Sequence, residues 1–213
     1  MVFLNRENFY NENANKMLFP FENEFGIPLI EPTQITCDDF IGFKERKKQK
    51  TDCGVHFFHY DFQLQCLWNT PDRYIEMLKK YKCVLSPDFS LYIDFPKALQ
   101  IYNHYRKHWL AAYWQMHGIE VIPTIRWGEE DTYDWCFSGE PIGGTVAVSS
   151  VGTQKQKDLK EMFVKGYKEM LNHLQPKTII FYGNVPEECE GNIIKIESDQ
   201  SKFRRKAYLE EKK

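Results

Sequence analysis

Asp88, Arg126, Trp127, Ser149 and Ser150 are the residues whose types best suit chemistry on a planar, anionic ligand. A carboxylate can take or give a proton, a guanidinium can clamp phosphate oxygens, an indole can stack on a base or sugar, and hydroxyls can steady an anion. Each of these residues ends an apolar, β-rich stretch. Asp88 closes Cys-Val-Leu-Ser-Pro-Asp at 83–88, Arg126 and Trp127 close 119–127, and the two serines close 144–150. In a parallel sheet such ends gather on one edge, where α/β proteins place their ligand sites. His59 and Asp61 end a stretch at 54–61 and Asn184 follows one at 178–182, so the same rim is expected to collect them as ligand contacts. Carboxylates, an imidazole and a guanidinium on one rim suit acid/base work around a phosphate or a sugar. Taken singly, Ser-Pro-Asp is also turn chemistry, and Arg126 could simply pair with a carboxylate at the surface.

The segment Ser-Ser-Val-Gly-Thr at 149–153 leads from a strand toward a helix, with Thr153 and Gln156 at capping-box spacing. Free N–H groups at a helix start attract anions, although this segment lacks the lysine of a P-loop. Metal and cofactor chemistry is not expected. His56 and His59 face opposite sides of a regular strand, so they share an ion only if a bulge intervenes. His104 and His108 share a helix face, but the residues between them lack the metalloprotease glutamate and carry positive charge. The six cysteines are scattered without a Cys-x-x-Cys pair and read as reduced thiols of a cytoplasmic protein.

The elements that must position these groups alternate. Strands are expected at 27–31, 54–61, 83–88, 119–127, 144–150, 178–182 and 192–196, with Pro123 demanding a bulge or a sheet edge. Helices are expected after Thr70-Pro71, from Asp94 to about His117, and from Thr153 onward. The last buries Leu159, Met162, Phe163, Tyr167, Met170 and Leu174 along one face. A short extra strand is a candidate within the insert at 128–143. Such alternation implies an α/β fold with a mostly parallel sheet and crossover helices, either open and doubly wound or an incomplete (β/α) barrel. The expected organisation is an irregular arm at 1–26, one α/β domain at 27–196 and a frayed, charged tail at 197–213.

Composition narrows the function classes. With 42% hydrophobic and 15% aromatic residues the 213-residue chain can bury a sizeable core. Its 28 basic against 30 acidic residues disfavour a globally basic nucleic-acid binder. The charged run at 42–50 still offers a local basic patch in Lys44, Arg46, Lys47 and Lys48, and Lys202 to Lys206 a second. No apolar run approaches a membrane span, and the first residues lack the regions of a secretion signal.

Several phrases resemble the Domain of Unknown Function 4417 family of phages and mobile elements. They are Phe-Glu-Asn-Glu-Phe-Gly-Ile-Pro at 21–28, Leu-Ser-Pro-Asp-Phe-Ser at 85–90, His-Tyr-Arg-Lys-His-Trp at 104–109, Ile-Pro-Thr-Ile-Arg-Trp at 122–127, Tyr-Asp-Trp-Cys-Phe at 133–137 and Val-Ala-Val-Ser-Ser-Val-Gly at 146–152. The resemblance implies a bacterial or phage context in DNA maintenance, replication or host–phage conflict, and it carries over no catalytic roles. Two functions fit the residues. One is a protein that binds or hydrolyses a phosphate-bearing, nucleotide-like ligand, with Asp88 as acid/base and Arg126 as clamp. The other is a non-catalytic module that binds nucleic acid or a host protein.

Overall fold

The computed structural model describes residues 18–46 and 50–211. Its strands form two sheets. One holds β1 (Phe40–Gly42), β2 (Gly54–His56), β3 (Cys83–Leu85) and β4 (Val121–Ile122); the other holds β5 (Thr145–Ser149), β6 (Thr178–Tyr182) and β7 (Ile193–Ile196). All ladders are parallel, and in each sheet the strand order follows the chain without reversal. The fold is therefore α/β with a parallel framework, and it lacks the order reversal of a doubly wound sheet. The helices are α1 (Asp61–Asn69), α2 (Ile75–Leu78), α3 (Lys97–Met116), α4 (Lys157–Leu174) and α5 (Asp199–Glu211).

Pro123 explains why there are two sheets. Having no N–H, it cannot extend the β3–β4 ladder. The next residue turns to side chains instead: Thr124 N donates to Ser86 Oγ at 2.8 Å, and Thr124 Oγ1 donates to Ser86 O at 2.9 Å. Ala147 N then donates to Pro123 O and Ile125 N to Ala147 O, so one parallel bridge, Thr124 to Ala147, ties β4 to β5. The expected bulge or edge is this seam.

Alternation in β5 and β6 sorts their side chains onto two faces. Val146, Val148, Ile179 and Phe181 pack with Phe163, Tyr167, Met170 and Leu174 of α4. Ala147, Ile180 and Tyr182 share the other core with Phe40, Val55, Val84 and Val121 of the first sheet. A core common to both sheets means they curve toward each other, and Tyr182 stacks on Phe58 with ring centroids 4.4 Å apart. No ladder joins β7 to β1, so the barrel is not closed.

Several elements differ from expectation. Residues 27–31 form no strand; Leu29 N donates to Pro20 O and Ile30 N to Gly139 O. The strand starting at Gly54 stops at His56, and Asp61 instead opens α1, which buries Leu64, Leu67 and Trp68 at helical spacing. Asp94 caps nothing, because Pro96 is the N-cap of α3. The capping box is also absent: α4 starts at Lys157 after Gln156, and Thr153 Oγ1 donates back to Ser150 O. The insert at 128–143 is turns and a 3₁₀ segment, Glu130–Thr132, with no strand. The segment expected to fray from 197 onward contains α5, starting where Asp199 N donates to the Tyr182 hydroxyl.

Candidate functional site

The loop after β3 is fixed before it presents anything. Ser90 donates to Asp61 from its N and its Oγ, while Asn103 Nδ2 donates to Ser90 O at 2.7 Å. Arg106 lies over the Phe89 ring at 3.9 Å and donates to Asn103 and Gln65. Buried polar residues of α3 thus hold the loop from behind, and Asp88 faces the strand ends.

There Arg126 Nη1 donates to Asp88 Oδ2 at 2.7 Å. Arg126 is about a third exposed, its side chain at 33%, and Asp88 is nearly buried. Burial alone would weaken the guanidinium's hold on its proton, but the Asp88 carboxylate outweighs it and the pKa is raised. Asp88, Arg126, Trp127 and Ser149 line one cavity of about 380 Å³, with Tyr60, Tyr92, Leu159 and Met162 among its walls. Trp127 is seated rather than free: its indole packs on Phe163 with centroids 5.2 Å apart and lies over Gly166 of α4, where a Cβ would collide with it. Leu159 and Met162, expected on the buried face of α4, are only half-buried and serve as cavity wall.

A second, wider recess of about 790 Å³ adjoins the first and shares Tyr60, Asp88, Tyr92, Arg126 and Ser149 with it. Its outer wall adds His59, Lys44, Asp199, Lys202 and Phe203. The structure therefore brings Asp88, Arg126, Trp127, Ser149 and His59 to one groove. Asp61, Ser150 and Asn184 line neither cavity. Asp61 is spent on Ser90, Ser150 is buried with its hydroxyl donating to Asn184 O, and Asn184 is exposed. Ser149 Oγ accepts the Val151 N–H in a turn that precedes Gln156, the N-cap of α4, so the 149–153 segment offers no helix N-terminus to an anion.

His56 and His59 come closer than strand geometry allows, because the strand ends at His56; their ring centroids are 5.5 Å apart. His59 Nε2 is buried without a hydrogen-bond partner. Burial, then His56 and Lys44, push its pKa down to about 4, so the ring is neutral at pH 7. His56 Nε2 lies 3.5 Å from Asp199 Oδ1, and the imidazole holds the Asp199 carboxyl below its ordinary range.

Of the basic patch, Lys44 is exposed on the recess wall, whereas Arg46 folds back, donating to Phe43 O and lying 4.3 Å over the Phe43 ring. Lys47, Lys48 and the side chain of Lys206 lie outside the described residues. Tyr92, Asp199 and Phe203 were not expected at the site, and Lys202 was expected only within a separate basic patch. Tyr92 sits in a loop without periodicity, and the other three arrive only because α5 folds over the strand ends.

Fold and groove together define an α/β protein that presents an acid–guanidinium pair, an imidazole and aromatic side chains at the C-terminal ends of parallel strands. The chain belongs to the family described as Domain of unknown function (DUF4417), whose profile matches residues 19–199. It is similar to the Gene 1 protein of Mycobacterium phage L5, with 37% identity over 174 residues that make up 80% of this chain and 76% of that one. It is also 36% identical to the Gene 1 protein of Mycobacterium phage D29 over 80% of this chain, spanning only 64% of that relative's length. No solved structure matches the chain. Among the described residues no helix is long and apolar enough to cross a membrane.

Proposed function

We propose that the groove binds a phosphate-bearing, nucleotide-like ligand. The observation that carries the reading is the meeting of Asp88, Arg126, Trp127 and Ser149, distant in sequence, around one cavity. Asp88 takes up one guanidinium donor and orients Arg126, whose remaining N–H groups are suited to phosphate oxygens. Tyr60, Tyr92 and the Trp127 edge offer apolar, aromatic surface to a base or sugar. A hydrolytic version needs a proton acceptor. Asp88, or the neutral His59 with its unpartnered Nε2, can supply one.

The test is calorimetric titration of the full chain with nucleoside mono-, di- and triphosphates, paired with Arg126→Ala, Asp88→Asn and thermal melting. Binding that falls about 10–100-fold in Arg126→Ala, with folding intact, supports the reading. Undiminished binding in that variant, or no binding by the wild type, overturns it. Phosphate release lost in His59→Asn while affinity persists would add catalysis to binding.

A second reading rests on the width of the outer recess and on Lys44 and Lys202 along its wall. There a single nucleic-acid strand would lie across the groove, with its backbone on the two lysines and a base toward Trp127.

A further inference from the structure

Behind the groove, His104 and His108 of α3 and Glu140 of the insert bring their donor atoms within 4.8 Å of one another, all three residues buried. None of them lines either cavity. We propose that this cluster is a structural site for a divalent transition ion of the Zn²⁺ class, fastening the 128–143 insert to α3.

The hydrogen bonding is what protons alone handle poorly. His108 Nδ1 lies 2.8 Å from Pro28 O and its Nε2 lies 3.1 Å from Glu140 Oε1, so the ring stands between two acceptors. A neutral imidazole has one N–H and satisfies only one of them. The ring is fully buried, so no solvent reaches it to satisfy the other acceptor in its place. Glu140 Oε2 is buried with no donor at all. A cation beside His108 Nε2 and Glu140 Oε2 answers both defects.

The second imidazole is oriented to join it. His104 Nε2 lies 3.0 Å from Ser138 O; donating there leaves Nδ1 with a free lone pair. Each ring thus has one nitrogen fixed by a backbone carbonyl and the other free to ligate, the outer-shell pattern that orients metal-binding histidines. Two imidazoles and a carboxylate are the donors that Zn²⁺ accepts, at about 2.0–2.2 Å.

Lys107 is the apparent objection. Its ammonium pairs with Glu140 Oε1 and donates to Thr124 O at 3.0 Å, so its charge is neutralised on the oxygen the ion does not need. Backbone geometry supports a tight junction: Gly139 has φ +78°, and a Cβ there would strike Pro28 O and the His108 ring.

The experiment starts with wild-type protein stripped by a chelator, then loaded with Zn²⁺ or Co²⁺ and gel-filtered. About one ion per chain, a raised melting temperature and visible cobalt d–d bands are expected. X-ray absorption of the zinc form should show imidazole nitrogens and carboxylate oxygen and no sulfur, which needs no variant to fold. His104→Asn and Glu140→Gln should each lower retention at least tenfold. No retained metal and no thermal shift with either ion would leave the cluster a proton-held ion-pair network and refute the site. Thiolate coordination, or full retention in both variants, would move the ion elsewhere and refute it equally.

Discussion

At the scale of single residues, the groove is a set of charges whose neighbours decide what they can do. Asp88 and Arg126 satisfy each other, and their removal is not symmetrical. Arg126→Ala strands a nearly buried carboxylate, whereas Asp88→Asn leaves an acceptor facing the guanidinium. Chemical denaturation should therefore show Arg126→Ala losing roughly 1–3 kcal/mol and Asp88→Asn less. Equal losses would mean the pair is too solvated to matter. His59 makes a prediction of definite sign. The unfolded imidazole takes a proton near its ordinary pH 6.5 and the folded one only near pH 4. Between those values the unfolded state binds more protons, so stability falls as pH drops through the window; above it the penalty is absent. The upper bound is about 3 kcal/mol, and water at the groove reduces it. His104 and His108 are shifted the same way, so the wild-type curve is steeper still. Subtracting the His59→Asn curve isolates this residue, and parallel curves would show that its ring is not desolvated.

At the scale of elements, α4 is held at two points that substitution can separate. Gly166 lies under the Trp127 indole. In an exposed helix a Gly-to-Ala change gains about 1 kcal/mol, but here the methyl must displace a seated ring, which costs roughly 1–3 kcal/mol. Gly166→Ala is expected to be net destabilising by urea titration and to alter ligand affinity by moving the cavity wall. At the other end Gln175 holds φ 45°, the left-handed conformation that favours glycine at a helix C-terminus. Gln175→Gly should stabilise the fold by roughly 0.5–1 kcal/mol without touching the groove. These two sites also show what the sequence reveals. The stripe Phe163, Tyr167, Met170 and Leu174 repeats at helical spacing, and Ile179 to Tyr182 of β6 run without a charged or small polar residue, so both are readable from pattern alone. The start of α4 is not, because Thr153 and Gln156 satisfy the capping pattern while the chain turns instead through Gly152. Asp61, Asn103 and Arg106 are unreadable for a different reason. Their partners lie in other elements, and only the folded loop makes them supports for Asp88. Asp88, Arg126, Trp127 and Ser149 were legible as strand ends, since a parallel sheet leaves few other places for them to meet.

At the scale of the molecule, the groove is completed by α5, whose first turn spans from one sheet to the other. Asp199 meets His56 of β2 and the Tyr182 hydroxyl of β6, and Lys202 Nζ lies 3.5 Å from the carbonyl of Phe40 in β1. Side chains of α5 thus bridge the two sheets where no ladder does, and the recess wall carries Lys44 and Lys202. A small nucleotide held by Arg126 and the inner cavity would scarcely sense these outer lysines. A strand crossing the recess would place phosphates on them and release counterions on binding. The two readings therefore differ in their salt dependence. For a short single strand, the double variant Lys44→Gln/Lys202→Gln should reduce the slope of log K against log salt by about 1.4, close to 0.7 for each lost phosphate contact. For a nucleoside triphosphate the slope should be nearly unchanged. Lys202 also pairs weakly with Asp199, 3.8 Å away, so a melting curve must accompany the titration to show that α5 stays docked. A slope that is unaltered for the strand, with α5 in place, would confine recognition to the inner cavity and rule out the crossing path.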